Sequence, residues 1–270
     1  MVEPLNRRSI ESLKSPLARV VEVHEALRST QQRARELAQA GTRHGTLVVA
    51  EVQTGGRGRL GRHWGSPKGG LWMSLVLRPG FDASLASRIT QTAAVGVAKA
   101  LWEIGVEASI KWPNDLLAGG KKICGILAES SAEKSAGSSG ERRLDYVVLG
   151  VGMNANLDPS DLAVPDREVT TVRSELGRDV DLLDLLRALL SNLDAELGRV
   201  EDFGGVLDDW RNLNCTLGER VRVRRFGETL EGRAMDLTTE GALLLATPRG
   251  TREVFEGEIE HLRQGDEARD

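Results

Sequence analysis

The segment Lys-Trp-Pro-Asn-Asp-Leu-Leu-Ala-Gly-Gly-Lys-Lys, residues 111–122, sets the carboxylate of Asp115 between Lys111 and Lys122. A carboxylate beside ammonium groups is how a site holds Mg²⁺ together with phosphates: the acid takes the cation and the lysines take anionic oxygens. Pro113 fixes the backbone where a strand ends, and Asn114 adds a neutral amide next to the acid. The same Pro-Asn-Asp residues would also serve as a plain Asx turn, and spacing alone leaves that alternative open. Lys122 stands just before an apolar run, placed to face an anion without covalent chemistry.

A second cluster is cationic. From Thr54 to Phe81 there is no acidic residue, while Arg57, Arg59, Arg62, Lys68 and Arg78 all carry positive charge. Gly58 and its neighbouring glycines let the backbone approach a ligand, arginine offers a planar fork for phosphate or carboxylate, and Trp64 supplies a stacking face. Residues 56–61 fit G-x-G-x-x-G, but a dinucleotide fingerprint must open a helix. Here Arg-His-Trp-Gly-Ser-Pro-Lys-Gly-Gly follows, whose glycines and proline forbid one. No Walker loop occurs. A solvated basic turn, or an arginine–glycine contact with RNA, remains an alternative for this loop taken by itself. A third piece, Gly150-Val-Gly-Met-Asn154, ends a strand with glycines that allow close approach and an asparagine that can hydrogen-bond a ligand.

The elements that must carry these groups follow from periodicity. Strands are expected at 18–27, 46–54, 70–79 and 107–112, with a paired set at 121–130 and 145–154. Ser29 and Thr30 give a helix start signal and Gly41 its end; a second helix covers 84–105, with apolar residues at Leu85, Ile89, Ala93, Val97 and Leu101. Residues 131–143 are too polar and glycine/serine-rich to pack and read as a mobile hairpin loop. From 179 onward Leu182, Leu186, Leu189, Leu193 and Leu197 mark an amphipathic helix, and a weaker one covers 202–211. Beyond Cys215, short alternating runs separated by turn residues suggest a small barrel of about 50 residues. The expectation is an α+β domain over 1–212 and a barrel over 213–270.

Composition narrows the function classes. With 270 residues, 28% charged, 40% hydrophobic and a net charge of −4, the chain has ordinary globular composition and lacks the basic face of a protein that coats nucleic acid. Cys124 and Cys215 have no pairing pattern, which suggests reduced thiols and a cytoplasmic protein. No apolar run approaches the roughly 18 residues of a membrane span, and no signal peptide opens the chain. The four histidines lack ligand spacing, so no zinc site is expected.

The ordered set Arg-Ser-Thr (28–30), Ala-Glu-Val-Gln-Thr-Gly-Gly-Arg-Gly-Arg-Leu-Gly-Arg-His-Trp (50–64), Lys-Trp-Pro-Asn-Asp-Leu-Leu (111–117), Lys-Lys-Ile-Cys-Gly-Ile-Leu-Ala-Glu (121–129) and Gly-Val-Gly-Met-Asn (150–154) closely resembles bacterial biotin–protein ligases. The resemblance implies a mixed β-sheet flanked by helices with a small C-terminal SH3-like β-barrel. It implies ATP-dependent activation of biotin to biotinyl-AMP with Mg²⁺, then transfer to a lysine of the biotin carboxyl carrier protein of acetyl-CoA carboxylase or a related carboxylase. By similarity Ser29, Thr30, Gln31, Gln53, Arg57, Gly58, Arg59 and Lys122 would bind biotin. Arg59, Trp64, Lys111, Asn114 and Asn154 would lie near ATP. Asp115 would take the metal and, with Arg59, Lys111 and Lys122, serve the chemistry. Glu258 and Arg263 resemble C-terminal residues that reach back to the nucleotide.

Two departures stand out. The family commonly shows Ser-Thr-Asn where this chain has Gln31, and the residues before Ser29 show no helix-turn-helix pattern, so DNA binding is not expected. A homodimer through an exposed sheet edge is an open expectation. The alternatives are a lipoate ligase, which shares fold and chemistry, and a non-catalytic RNA-binding protein.

Overall fold

The computed structural model describes residues 5–132, 143–162, 168–225 and 227–262. A short helix α1 (Arg7–Glu11) is followed by β1 (Val20–Leu27), α2 (Thr30–Gln39), β2 (Thr46–Gln53), β3 (Leu71–Leu77) and α3 (Arg88–Glu103). Then come β4 (Ala108–Lys111), β5 (Asp115–Ala118), β6 (Lys121–Ala132) and β7 (Leu144–Met153), and helices α4 (Val172–Leu176), α5 (Leu182–Leu197) and α6 (Phe203–Leu213). The chain ends in β8 (Arg220–Arg225), β9 (Glu228–Leu237), β10 (Leu243–Thr247), β11 (Gly250–Val254) and β12 (Glu258–His261).

The first seven strands form one sheet in the order β1-β2-β3-β7-β6-β5-β4. Only β1 and β2 run parallel, with α2 as their crossover, so the sheet is mixed as expected. Every residue of β3 is buried because both faces of the sheet are covered. Helices α3 and α5 close one face, where Leu47, Leu75, Val97, Leu186, Leu189 and Leu193 join the main core. Their crossing is tight: a Cβ on Gly96 would stand 3.1 Å from the Asn192 carbonyl oxygen. Helix α2 closes part of the other face through Ala34 and Ala38 against Val48, Val76 and Val148. The rest of that face is left for the groove described below.

The five C-terminal strands form an antiparallel sheet in the order β11-β10-β9-β8-β12. No pairing among the described residues joins β11 to β12, so the strand pairings give an antiparallel sheet without the closure of a barrel. The sheet is tied to the first by the Trp112 amide donating to Thr216 Oγ1 at 3.0 Å and by Gln91 Nε2 donating to the Gly241 carbonyl at 3.1 Å.

The strand readings hold to within two residues at most ends. The helix expected at 84–105 begins as a 3-10 turn over Ala83–Ser87, capped by Asp82, and is α-helical only from Arg88. Helices α1 and α4 and strand β5 were not foreseen; at four or five residues each they are too short to show a repeated pattern. The loop reading at 131–143 falls mostly outside the described residues. Among the described residues no helix is long and apolar enough to cross a membrane.

Candidate active site

The paired strands β6 and β7 are floored with glycine. Gly125 stands opposite Gly152 in the register, and Gly150 lies two residues back on the same face. A Cβ on Gly125 or Gly152 would come within 3.0 or 2.7 Å of the Trp64 indole, and one on Gly150 within 2.5 Å of Gln31 Oε1. The floor is thus flat because Trp64 and Gln31 lie directly upon it.

Trp64 is delivered there by the arginine loop. Bridges between Gln53 and Ser66 and between Arg57 and His63 fold residues 53–66 into a narrow irregular hairpin. The Trp64 amide donates to the Gly56 carbonyl at 3.0 Å, and the Gly58 amide to that of Arg62 at 2.8 Å. Leu60 (φ 55°) and Gly61 (φ 72°) turn the tip in the left-handed region. A side chain at Gly56 would run into the Trp64 carbonyl oxygen at 2.5 Å, so glycine is required where the two arms meet.

Arg59 points inward. Its Nη1 donates to Asn114 Oδ1 at 3.3 Å, and Asn114 Nδ2 donates to the Ile126 carbonyl at 2.7 Å. Burial lowers the Arg59 guanidinium from its ordinary value, with Glu256 and Asp115 pulling the other way, but a guanidinium stays charged at neutral pH. Lys111 and Asp115 face each other across the tight β4–β5 hairpin, as their spacing suggested. Asp115 Oδ1 lies 2.5 Å from Lys122 Nζ, and that ammonium sits 4.9 Å above the Trp64 ring. Both members of the pair are well covered, at 12% and 20% side-chain exposure, so their attraction is little screened.

At the other end of the groove the cluster is polar and neutral. Ser29 caps α2, its Oγ accepting the Gln32 amide, while Thr30 donates from its backbone amide to Gln53 Oε1 at 2.8 Å. Asn154 is 2% exposed; its Nδ2 donates to the carbonyls of Lys122 and Thr170, which fixes the segment beside Lys122. Glu258 of β12 closes the groove from the second sheet and pairs with Arg62 of the loop. Arg222, Arg224 and His261 line the same wall.

These residues enclose one groove of about 1030 Å³. That is the upper end of the range for a single small-molecule site, and room for two substrates side by side. The structure brings together Ser29, Thr30, Gln31, Gln53, Arg57, Gly58, Arg59, Trp64, Lys111, Asn114, Asp115, Lys122, Asn154 and Glu258 around it. Arg263 lies outside the described residues. Sequence reading missed Ser74, a wholly buried hydroxyl on β3 bonded to Thr30 and Gln31. Its signal was present as the one polar residue in the apolar run Leu71–Leu77. His261 was also missed; burial and the nearby charge of Lys111 lower its pKa.

A smaller cavity of about 240 Å³ opens on the opposite face of the sheet, between Leu5, Val49, Leu71 and Leu182, with Glu51 and Lys68 at its lining. Burial pushes the thiols of Cys124 and Cys215 up, so neither is a thiolate nucleophile at neutral pH.

Residues 23–154 match the biotin/lipoate A/B protein ligase family, and residues 216–262 match the biotin protein ligase C terminal domain. The bifunctional ligase/repressor of Bacillus subtilis is 36% identical over 242 residues, 88% of this chain and 72% of that protein. The biotin–[acetyl-CoA-carboxylase] ligase of Paracoccus denitrificans is 32% identical over 220 residues, 78% of this chain and 88% of its own. Among solved structures, the biotin protein ligase of Aquifex aeolicus in complex with biotin and ATP superposes with a TM-score of 0.73 at 29% identity. It covers 91% of this chain and 99% of its own. The chain belongs to the biotin/lipoate A/B protein ligase family.

Proposed function

We propose that the protein is a biotin–protein ligase that makes biotinyl-AMP from biotin and ATP and passes the biotin to a lysine of a carboxyl carrier protein. The observation that carries this is the groove: a neutral polar end at Thr30, Gln53 and Ser74, a cationic centre at Arg59 and Lys122, and an aromatic plate at Trp64. In the first step a biotin carboxylate oxygen attacks the α-phosphorus and pyrophosphate leaves. Charge grows on the α-phosphoryl oxygens, and Arg59 and Lys122, fixed in the cationic centre of the groove, are the groups that would meet it. In the second step a neutral carrier amine attacks the acyl carbon and AMP leaves. Asp115, at the groove wall, is the group placed to take the amine's proton.

Mg²⁺ fits this set as an ion shared between protein and substrate. Among the described residues no three His, Cys, Asp or Glu side chains converge on one point. A magnesium ion would therefore be held by the Asp115 carboxylate together with substrate phosphates and water, as is usual for this ion. When bound it offsets the charge on those phosphates.

We take residues 1–212 as the catalytic unit and 213–270 as an SH3-like unit that supplies Glu258 to the groove. The open edge strands offer main-chain hydrogen bonds for the carrier domain or, in a homodimer, for a second copy. Mass spectrometry of the protein with Mg-ATP and either biotin or lipoate tests the substrate. Biotinyl-AMP supports this reading, and lipoyl-AMP alone overturns it.

A further inference from the structure

The neutral end of the groove is joined to the protein surface through Glu129, which lies outside the residues assigned to binding. Gln31 is 6% exposed, and its Nε2 donates to Glu129 Oε2 at 2.9 Å and to the Val148 carbonyl at 3.1 Å. A carboxylate and a carbonyl are both acceptors. Turning the amide over would set oxygen against oxygen at both contacts, so Oε1 must face the other way. There it accepts from Ser74 Oγ at 3.1 Å.

Ser74 is fully buried and has one proton to give. With that proton on Gln31, Ser74 becomes the acceptor in its 2.9 Å contact with Thr30 Oγ1. The single Thr30 proton is then shared between Ser74 Oγ and Gln53 Oε1, the latter at 3.1 Å. Gln53 is fixed in the same manner, its Oε1 accepting the Thr30 amide and its Nε2 donating to Ser66 Oγ at 2.8 Å. Both hydroxyls that line the groove thus keep lone pairs, and no free proton, for a ligand. Glu129 is itself held by Arg35 on α2 at 2.5 Å.

We propose that Glu129 is a positioning residue for substrate choice: through the Gln31 amide it fixes the protons of the Ser74–Thr30 pair, so that this end of the groove accepts from ligand N–H groups. The inference rests on the reading of the groove as a biotin pocket. The cyclic urea of biotin has an N–H on either side of its carbonyl, whereas a dithiolane ring brings none. Gln31 stands where the family commonly shows Asn, and its amide reaches the β6 carboxylate.

The test is biotin affinity and adenylation kinetics of the full chain carrying Glu129→Leu, Glu129→Gln or Arg35→Leu. Glu129→Leu is expected to raise both the biotin Kd without ATP and the biotin KM about tenfold, the size of one hydrogen bond to a charged group. The kcat at saturating biotin and the KM for ATP should stay within about twofold. Glu129→Gln keeps an acceptor oxygen and should recover most of the loss. Arg35→Leu breaks the ion pair, keeps the acceptor and should move biotin KM less than about threefold. If Glu129→Leu does not fold, Glu129→Ala carries the same expectation. Unchanged biotin affinity in that variant, or an equal loss in Arg35→Leu, overturns the proposal while leaving the biotin reading intact. A wild-type protein that binds no biotin overturns both.

Discussion

Arg59 and Lys122 stand in the groove, each held in place by its neighbours. Arg59 is drawn in by Asn114, and Lys122 is fixed between the Asp115 carboxylate and the Trp64 ring. A cation held in this way acts on charge that develops during reaction, which is where electrostatic stabilisation accelerates chemistry. Lys122→Ala is therefore expected to lower the adenylation rate by about 10²–10³-fold, measured as pyrophosphate release at saturating substrates. A loss confined to KM would contradict the role. Arg59→Ala is expected to let biotinyl-AMP escape about tenfold faster into a filtrate while the unfolding midpoint moves by less than about 2 °C. Unchanged leakage would remove Arg59 from adenylate retention. Arg59 was legible in the sequence because charge next to glycine, with no acid between 54 and 81, is a local pattern, and Lys122 because it follows Asp115 closely and stands just before an apolar run. Glu129 was not legible, and Ser74 showed only as the one polar residue in an apolar run. Their part depends on contacts across 98 and 43 residues of chain, to the same Gln31.

At the scale of elements, the groove exists because two strands carry glycine at facing positions and a hairpin lays Trp64 across them. Gly152→Ala would bring a methyl group within 2.7 Å of the indole and lift it from its place. The expected result is a raised KM for ATP and a red-shifted Trp64 emission, with the sheet intact as judged by far-ultraviolet circular dichroism. An unchanged KM would mean that Trp64 has no part in the nucleotide site. Long periodic elements such as α5 and the alternation in β8–β12 were readable because each residue adds to one signal. The helix expected at 84–105 was overrun at its start: Asp82 Oδ1 accepts the Ser84 amide and opens a 3-10 turn over Ala83–Ser87 first. Strand β5 escaped notice because four residues after a Pro-Asn turn carry too little periodicity, although its first residue, Asp115, was singled out for its charge.

The whole molecule places the second sheet as a wall of the groove, and this ties stability to pH. Burial and the charge of Lys111 lower His261, and burial lowers His44, so the folded protein takes up protons there less readily than an unfolded chain whose histidines titrate near about 6.5. The stability from these groups is complete above that pH and is lost as pH falls through it toward the depressed folded values. The thermal midpoint should drop between about pH 7.5 and pH 5.5, and His261→Asn should flatten part of that slope. An identical slope in the variant would contradict the assignment. The pairing of Arg62 with Glu258 was not foreseeable from either segment, because it spans most of the chain; that Glu258 reaches back was expected only through the resemblance. The central claim is tested most directly by mass spectrometry of the protein with Mg-ATP and biotin, followed by addition of a biotin carboxyl carrier domain. Biotinyl-AMP that disappears as the carrier domain gains one biotin on lysine is the result expected. Absence of any biotinyl adenylate, with the protein folded and ATP present, would contradict the account.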